Sequence, residues 1–188
     1  MEIVSTQRQK IHPHKFTLWI AIGSIIMMFA GLTSAYVVKG SLPGWSTVDM
    51  PKIFYYSTGV MLLSSVTMQM ALKAFKERGM QQYRRLITLT AILGVVFIVM
   101  QLVGFMQLSK TGVHLSGASG AGQFLYIIFG LHALHVLGGA IALLIMFFKA
   151  FSTKFRNYNV VPVEVVSTYW HFVDLLWIYL FIFFLAKF

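Results

Sequence analysis

Five stretches of this chain are too long and too poor in charge to belong to a soluble domain. They cover residues 16–38, 53–72, 86–108, 123–148 and 165–186, and each holds 20 to 26 residues. A helix rises about 1.5 Å per residue, so each can cross a hydrocarbon layer about 30 Å thick. The first four contain no Asp, Glu, Lys or Arg. A membrane β-barrel needs shorter, alternating segments, and none is present. The pattern predicts an all-α, polytopic integral membrane protein: a bundle of five transmembrane helices in a single domain over 1–188. The first apolar run is too long for the core of a secretory signal, so an uncleaved helix is expected there.

Composition agrees. The 188 residues are 58% hydrophobic and 11% charged, with a mean hydropathy of +0.77. That excludes an ordinary cytosolic globule and a disordered chain. The chain has no cysteine, which removes disulfides, Cys-ligated zinc, iron–sulfur clusters, covalently attached haem and thiolate-bound copper. A net charge of +10 would suggest nucleic acid in a soluble protein, but here the basic residues lie between apolar runs. Membrane orientation and anionic lipid explain them, and no nucleic-acid partner is expected.

The connecting segments 39–52, 73–85, 109–122 and 149–164 read as loops. They carry Leu42-Pro43-Gly44-Trp45, Gly112, Gly117, Gly120, Gly122 and Pro162, residues that disfavour continuous helix. Arg8, Lys10, Lys15, Lys73, Lys76, Arg78, Arg84, Arg85, Lys149, Lys154 and Arg156 fall on one side of the membrane, against Lys39, Lys52, Lys110 and Lys187 on the other. The positive-inside rule then predicts the N-terminus inside and the C-terminus outside. Small residues four apart, Ala30 with Ser34, Gly31 with Ala35 and Gly138 with Ala142, are expected to allow close helix contacts. On the second span Ser57, Thr58, Ser64, Ser65 and Gln69 recur at near-helical spacing, so that face should meet protein.

Polar chemistry enters the membrane at few places. His132 and His135 sit on the fourth span, and His171 and Asp174 on the fifth. Each pair is spaced i, i+3 and shares a helix face, and the two pairs could face each other. A central Asp costs about 2.5 to 3.5 kcal/mol on insertion, and the apolar residues that follow return about 3 to 5 kcal/mol. The helix inserts, but its carboxyl needs a partner. Three readings compete: a metal or haem site, a proton relay, and a structural node in which Asp174 accepts hydrogen bonds from His or Trp. The node is favoured. Two b-haems would need four intramembrane His where this chain has three, and no chain of acids continues a relay. Glu164, just before the fifth span, reads as an acid at a helix N-terminus favoured by the dipole. His12, His14 and His114 read as solvated, and the Met residues as core filler.

The run Glu164-Val-Val-Ser-Thr-Tyr169-Trp170-His171-Phe172-Val173-Asp174-Leu-Leu-Trp177 resembles the last-helix signature of haem–copper oxidase subunit III, cytochrome c oxidase polypeptide III. Gly130-Leu131-His132-Ala133-Leu134-His135-Val136 resembles the preceding helix of that family, and Phe29-Ala30-Gly31-Leu32 with Ala35-Tyr36 resembles the helix opening its core. The resemblance covers essentially the whole chain, in the five-helix form that lacks the first two helices of longer members. Ile25 stands where the family usually has a buried acid, so no role of that carboxylate carries over.

The resemblance implies a non-catalytic accessory subunit of a respiratory oxidase that reduces oxygen and pumps protons. It would have no catalytic, cofactor-binding or metal-binding residues of its own, with haem and copper held by partner subunits. It would pack against catalytic subunit I, bind phospholipid, support proton uptake and turnover stability, and reside in a bacterial plasma membrane or an organellar inner membrane. His132, His135, Glu164, Tyr169, Trp170, His171 and Asp174 would form a polar helix-interface or lipid site. The corresponding subunit of a quinol oxidase or nitric oxide reductase is an alternative. Rivals of other classes are a b-haem-bearing, quinone-reactive membrane anchor and a small transporter.

Overall fold

The structure, a computed structural model, describes residues 13–40, 51–110, 120–152 and 159–187. These form five helices: α1 (Pro13–Lys39), α2 (Ile53–Lys76), α3 (Met80–Lys110), α4 (Gly120–Phe151) and α5 (Val160–Lys187). Leu42-Pro43-Gly44-Trp45, Gly112, Gly117 and the tail residues Arg8, Lys10 and His12 lie outside the described residues, as do His114, Lys154 and Arg156.

Every helix outruns the apolar stretch that announced it. Backbone hydrogen bonding continues past the last lipid-facing side chain, and helix formers such as Gln81, Gln82, Arg84 and Arg85 sustain it. Much of the expected loop 73–85 is therefore helix, and only Glu77–Gly79 separates α2 from α3. The Gly79 N–H donates to the Ala74 carbonyl at 2.9 Å and the Arg78 N–H to Phe75 at 3.1 Å. Arg78 takes a left-handed conformation with φ 59°, the geometry in which helices commonly end. Pro162 and Glu164, expected in a loop, belong to α5. Proline fits the first turn because its missing N–H would have had no acceptor there.

By length and composition, four of the described helices, α1, α3, α4 and α5, are apolar enough to cross a membrane. The fifth, α2, is less apolar because of its hydroxyl and amide residues. The hydroxyls face inward, with Ser57 and Ser64 buried and Thr58 and Ser65 partly buried, whereas Gln69 is exposed. The helices α2, α3, α4 and α5 close a ring in which each touches the next, and α1 packs outside it against α4 and α5.

Two tryptophans of α5, seven residues and two turns apart, fill the ring. Trp170 lies between α3 and α4 at a close approach of backbones. A Cβ at Gly94 would sit 3.1 Å from its ring, and one at Gly139 would sit 3.2 Å from it. Trp177 stacks with His132 of α4 at 5.3 Å and meets Phe97 of α3 edge-on at 5.6 Å. Around Trp177 gathers an aromatic core of Phe29, Tyr36, Phe54, Phe129 and Phe184. Around Trp170 the core is smaller in grain, with Met68, Ala71, Ile87, Leu143 and Val163. Among the described residues the expected close contact through Gly31 on α1 does not form, since a Cβ there would meet nothing within 4 Å. Lipid-like exposure persists outside the ring, as at Trp19, Ile26, Met27, Leu134 and Leu175.

Candidate functional site at the α2–α5 seam

The sequence of α5 places Trp170, His171, Asp174 and Trp177 in adjacent steps or three or four residues apart, with Glu164 seven residues before His171, so they lie along neighbouring faces. Opposite them α2 offers a ladder of short polar side chains. Trp177 Nε1 donates to Thr58 Oγ1 at 3.0 Å, and Trp170 Nε1 donates to Ser64 Oγ at 3.1 Å. His171 contacts α2 twice, through Nδ1 to Ser65 Oγ at 2.6 Å and through Nε2 to Gln69 Oε1 at 3.2 Å. The amide oxygen can only accept, so Nε2 carries the proton and Nδ1 accepts from the Ser65 hydroxyl. The ladder continues into α3, where Gln101 Nε2 donates to Ser57 Oγ at 3.1 Å and Thr67 pairs with Thr90 at 2.9 Å. Buried polar groups demand partners, and here the partners fix the register of three helices.

At the end of the bundle where α1 and α5 begin, Glu164 binds Lys15 of α1 at 2.6 Å and Lys76 of α2 at 2.7 Å. Glu164 is the fifth residue of α5, beyond the first turn where the helix dipole acts most strongly. The dipole reading is therefore replaced by an ion triad joining three helices. A cavity of about 320 Å³ opens beside it, lined by Lys15, Leu18, Trp19, Leu72, Lys76, Glu164, Val165 and Thr168.

The expected clip of α4 to α5 by imidazole and carboxylate does not form. His135 Nδ1 donates to the Leu131 carbonyl of its own helix at 2.7 Å. Tyr169 reaches α4 through its hydroxyl, which donates to the His135 carbonyl at 3.1 Å. His132 is stacked, not hydrogen-bonded. Both of its ring nitrogens and both Asp174 carboxyl oxygens are buried with no hydrogen-bond partner among the described residues. Asp174 lies near Ser65, whose hydroxyl is committed to His171. The α4 imidazoles are turned to other uses, His135 to the Leu131 carbonyl and His132 to stacking on Trp177, whereas α2 presents hydroxyls and an amide to α5.

Thus Trp170, His171 and Glu164 join the α2 side, Tyr169 meets α4 at the His135 carbonyl, His132 meets α5 at Trp177, and the His135 ring bonds its own helix. The sequence singled out the inward face of α2 but missed the partners Lys15, Lys76, Gln101 and Thr90. It also missed Thr33, which pairs with Tyr179 at 2.9 Å and ties α1 to α5. A basic residue at the matching end of α2 was the available signal for Lys76. Among the described residues, no three His, Cys, Asp or Glu side chains are grouped so that they could hold a metal ion.

Comparison with known proteins points the same way. Residues 12–186 match the sequence model of the family described as cytochrome c oxidase subunit III. A probable cytochrome c oxidase subunit 3 of Nocardia farcinica is 33% identical over 184 residues, covering 92% of this chain and 90% of that protein. The cytochrome c oxidase subunit 3 of Corynebacterium diphtheriae is 33% identical over 177 residues, covering 87% and 85%. That of Pelomedusa subrufa is 30% identical over 179 residues, covering 89% of this chain and 67% of the relative. With a five-helix membrane fold and a match along nearly its whole length, the chain belongs to the cytochrome c oxidase subunit III family.

Proposed function

We propose that the chain is the non-catalytic, accessory subunit III of a respiratory haem–copper cytochrome c oxidase, packed against the catalytic subunit. Oxygen reduction and proton pumping belong to the assembly, and haem and copper to the partner subunits. The observation that carries this reading is how the intramembrane polar groups other than His132 and Asp174 are spent. His171 uses both ring nitrogens on α2, His135 bonds its own helix, and Trp170 and Trp177 tie α5 to α2. The seam builds a scaffold. All five helices cross the membrane, α2 included, because its polar face is turned to protein and need not meet lipid.

The orientation is N-terminus inside. Lys15, Lys76, Arg84 and Lys149 gather at one end of the bundle, the end that the positive-inside rule places at the cytoplasmic or matrix surface. The cleft between α1, α2 and α5 suits a phospholipid headgroup: two ammonium groups and one carboxylate border it, with Leu18, Trp19 and Leu72 beside them. The proposed setting is a bacterial plasma membrane or an organellar inner membrane.

The test is purification of the full chain from its native membrane in mild detergent. Expected companions are a haem-bearing catalytic subunit and a subunit with a dinuclear copper domain, with haem content unchanged when His135 or His171 is replaced by Ala. A chain that purifies alone with a b-type absorption band, lost on either replacement, would overturn the proposal.

A further inference from the structure

A second basic feature lies outside the seam, on the opposite flank of the ring. An open groove of about 510 Å³ runs between α3 and α4, lined by Arg84, Arg85, Thr88, Leu89 and Ile92 of α3 and Phe151 of α4. Arg84 is held in place. Its Nε donates to the Ala150 carbonyl at 2.8 Å, and its guanidinium lies 5.7 Å from the centre of the Phe151 ring. That hydrogen bond uses one of the five N–H donors of a guanidinium. Arg85 is exposed beside it, and no described residue forms an ion pair with either arginine.

Below the arginines the surface turns apolar. Leu89, Ile92 and Phe151 are about half exposed. From Arg85 to Ile92 the helix descends about 10 Å, the step from headgroup level into the acyl region. The groove thus has two cations at the interface and a hydrocarbon-compatible wall beneath them. Among the described residues its lining contains no Asp or Glu, unlike the α1–α2–α5 cleft, where Glu164 could receive a headgroup ammonium. Guanidinium pairs bind phosphate oxygens through paired N–H donors, and a site lacking any carboxylate discriminates against an added positive charge.

We infer that the α3–α4 groove is a binding site for one anionic phospholipid, its phosphate on Arg84 and Arg85 and an acyl chain along Leu89 and Ile92. The site is distinct from the polar seam and does not depend on which oxidase subunit the chain meets. Arg84, fixed by Ala150 and Phe151, presets the site; Arg85 supplies the adaptable charge.

The experiment counts lipids retained by the full chain, purified with whatever partners accompany it and exchanged into nanodiscs of phosphatidylcholine with a minor fraction of phosphatidylglycerol. Native mass spectrometry should find one phosphatidylglycerol per chain held in preference to phosphatidylcholine. Arg85→Gln should weaken its retention about fivefold, and Arg85→Lys should keep most of it. Arg84→Gln together with Arg85→Gln should abolish it, while Lys39→Gln at the far end of α1 leaves it unchanged. Because Arg85 is exposed, Arg85→Gln tests the site even if the double variant misfolds. Equal retention of the two lipids, undiminished retention in Arg85→Gln, displacement of the lipid by inorganic phosphate, or a polypeptide cross-linked through Arg85 would each overturn the inference.

Discussion

Helix α5 has two seams, and they are held by different physics. Against α2 it is fastened by direction: indole and imidazole nitrogens meet hydroxyl and amide oxygens at four points, from Thr58 to Gln69. Against α4 it is fastened by shape. The Tyr169 and Trp170 rings lie over Gly139, and Trp177 stacks on His132. Its one described side-chain hydrogen bond to α4 goes to a backbone carbonyl. In lipid there is no hydrophobic push between helices, so association rests on close packing and on interhelical hydrogen bonds. The two seams separate these contributions within one helix. The hydrogen-bonded seam fixes register, because each donor has one acceptor at one height. The packed seam fixes distance, because only glycine admits the rings.

The comparison can be broken most severely at Trp177, which belongs to both seams. Trp177→Ala should cost about 3 to 5 kcal/mol, read as loss of folded protein in detergent denaturation. Trp177→Phe should keep the stacking and forfeit only the Thr58 bond. Gly139→Leu attacks the packed seam first, by pressing on the Tyr169 and Trp170 rings, and should cost about 1 to 3 kcal/mol by overpacking, in the same assay. A smaller effect is expected on the hydrogen-bonded seam. Ser65→Ala and Trp170→Phe should each cost about 0.6 kcal/mol, and at most about 1.7 kcal/mol, for the interhelical hydrogen bond lost. Equal losses from Gly139→Leu and Ser65→Ala would erase the distinction between the seams. The smallest effect belongs to the ion triad. Its members are partly exposed, so Glu164→Gln should cost at most about 1 kcal/mol, shrinking as salt is added. A salt-independent loss would show that Glu164 acts by something other than charge.

Much of the architecture was legible before any coordinates. Long uncharged apolar runs mark α1, α3, α4 and α5 because lipid admits no exposed backbone polar group except in a helix or a closed barrel. The spacing of Ser57, Thr58, Ser64 and Ser65 marks the inward face of α2 for the same reason, while Gln69 at its end stays exposed. Direction around α5 was not legible. The i, i+3 spacing of His171 and Asp174 places both on one face, but not beside a particular neighbour, and both α2 and α4 flank α5. The choice of α2 depends on which helix carries acceptors at that height, a property of three-dimensional register. Glu164 was misread for a related reason: its partners Lys15 and Lys76 are distant in sequence and meet it only once α1, α2 and α5 have packed.

The most direct measurement is 15N nuclear magnetic resonance of histidine-labelled protein in lipid, following the two nitrogens of His171. With α5 fastened to α2, His171 carries its proton on Nε2. Its Nδ1 resonance then shifts on Ser65→Ala and stays put on His132→Ala or His135→Ala. A His171 signal that follows the α4 substitutions and ignores Ser65→Ala would place the clip on the other seam.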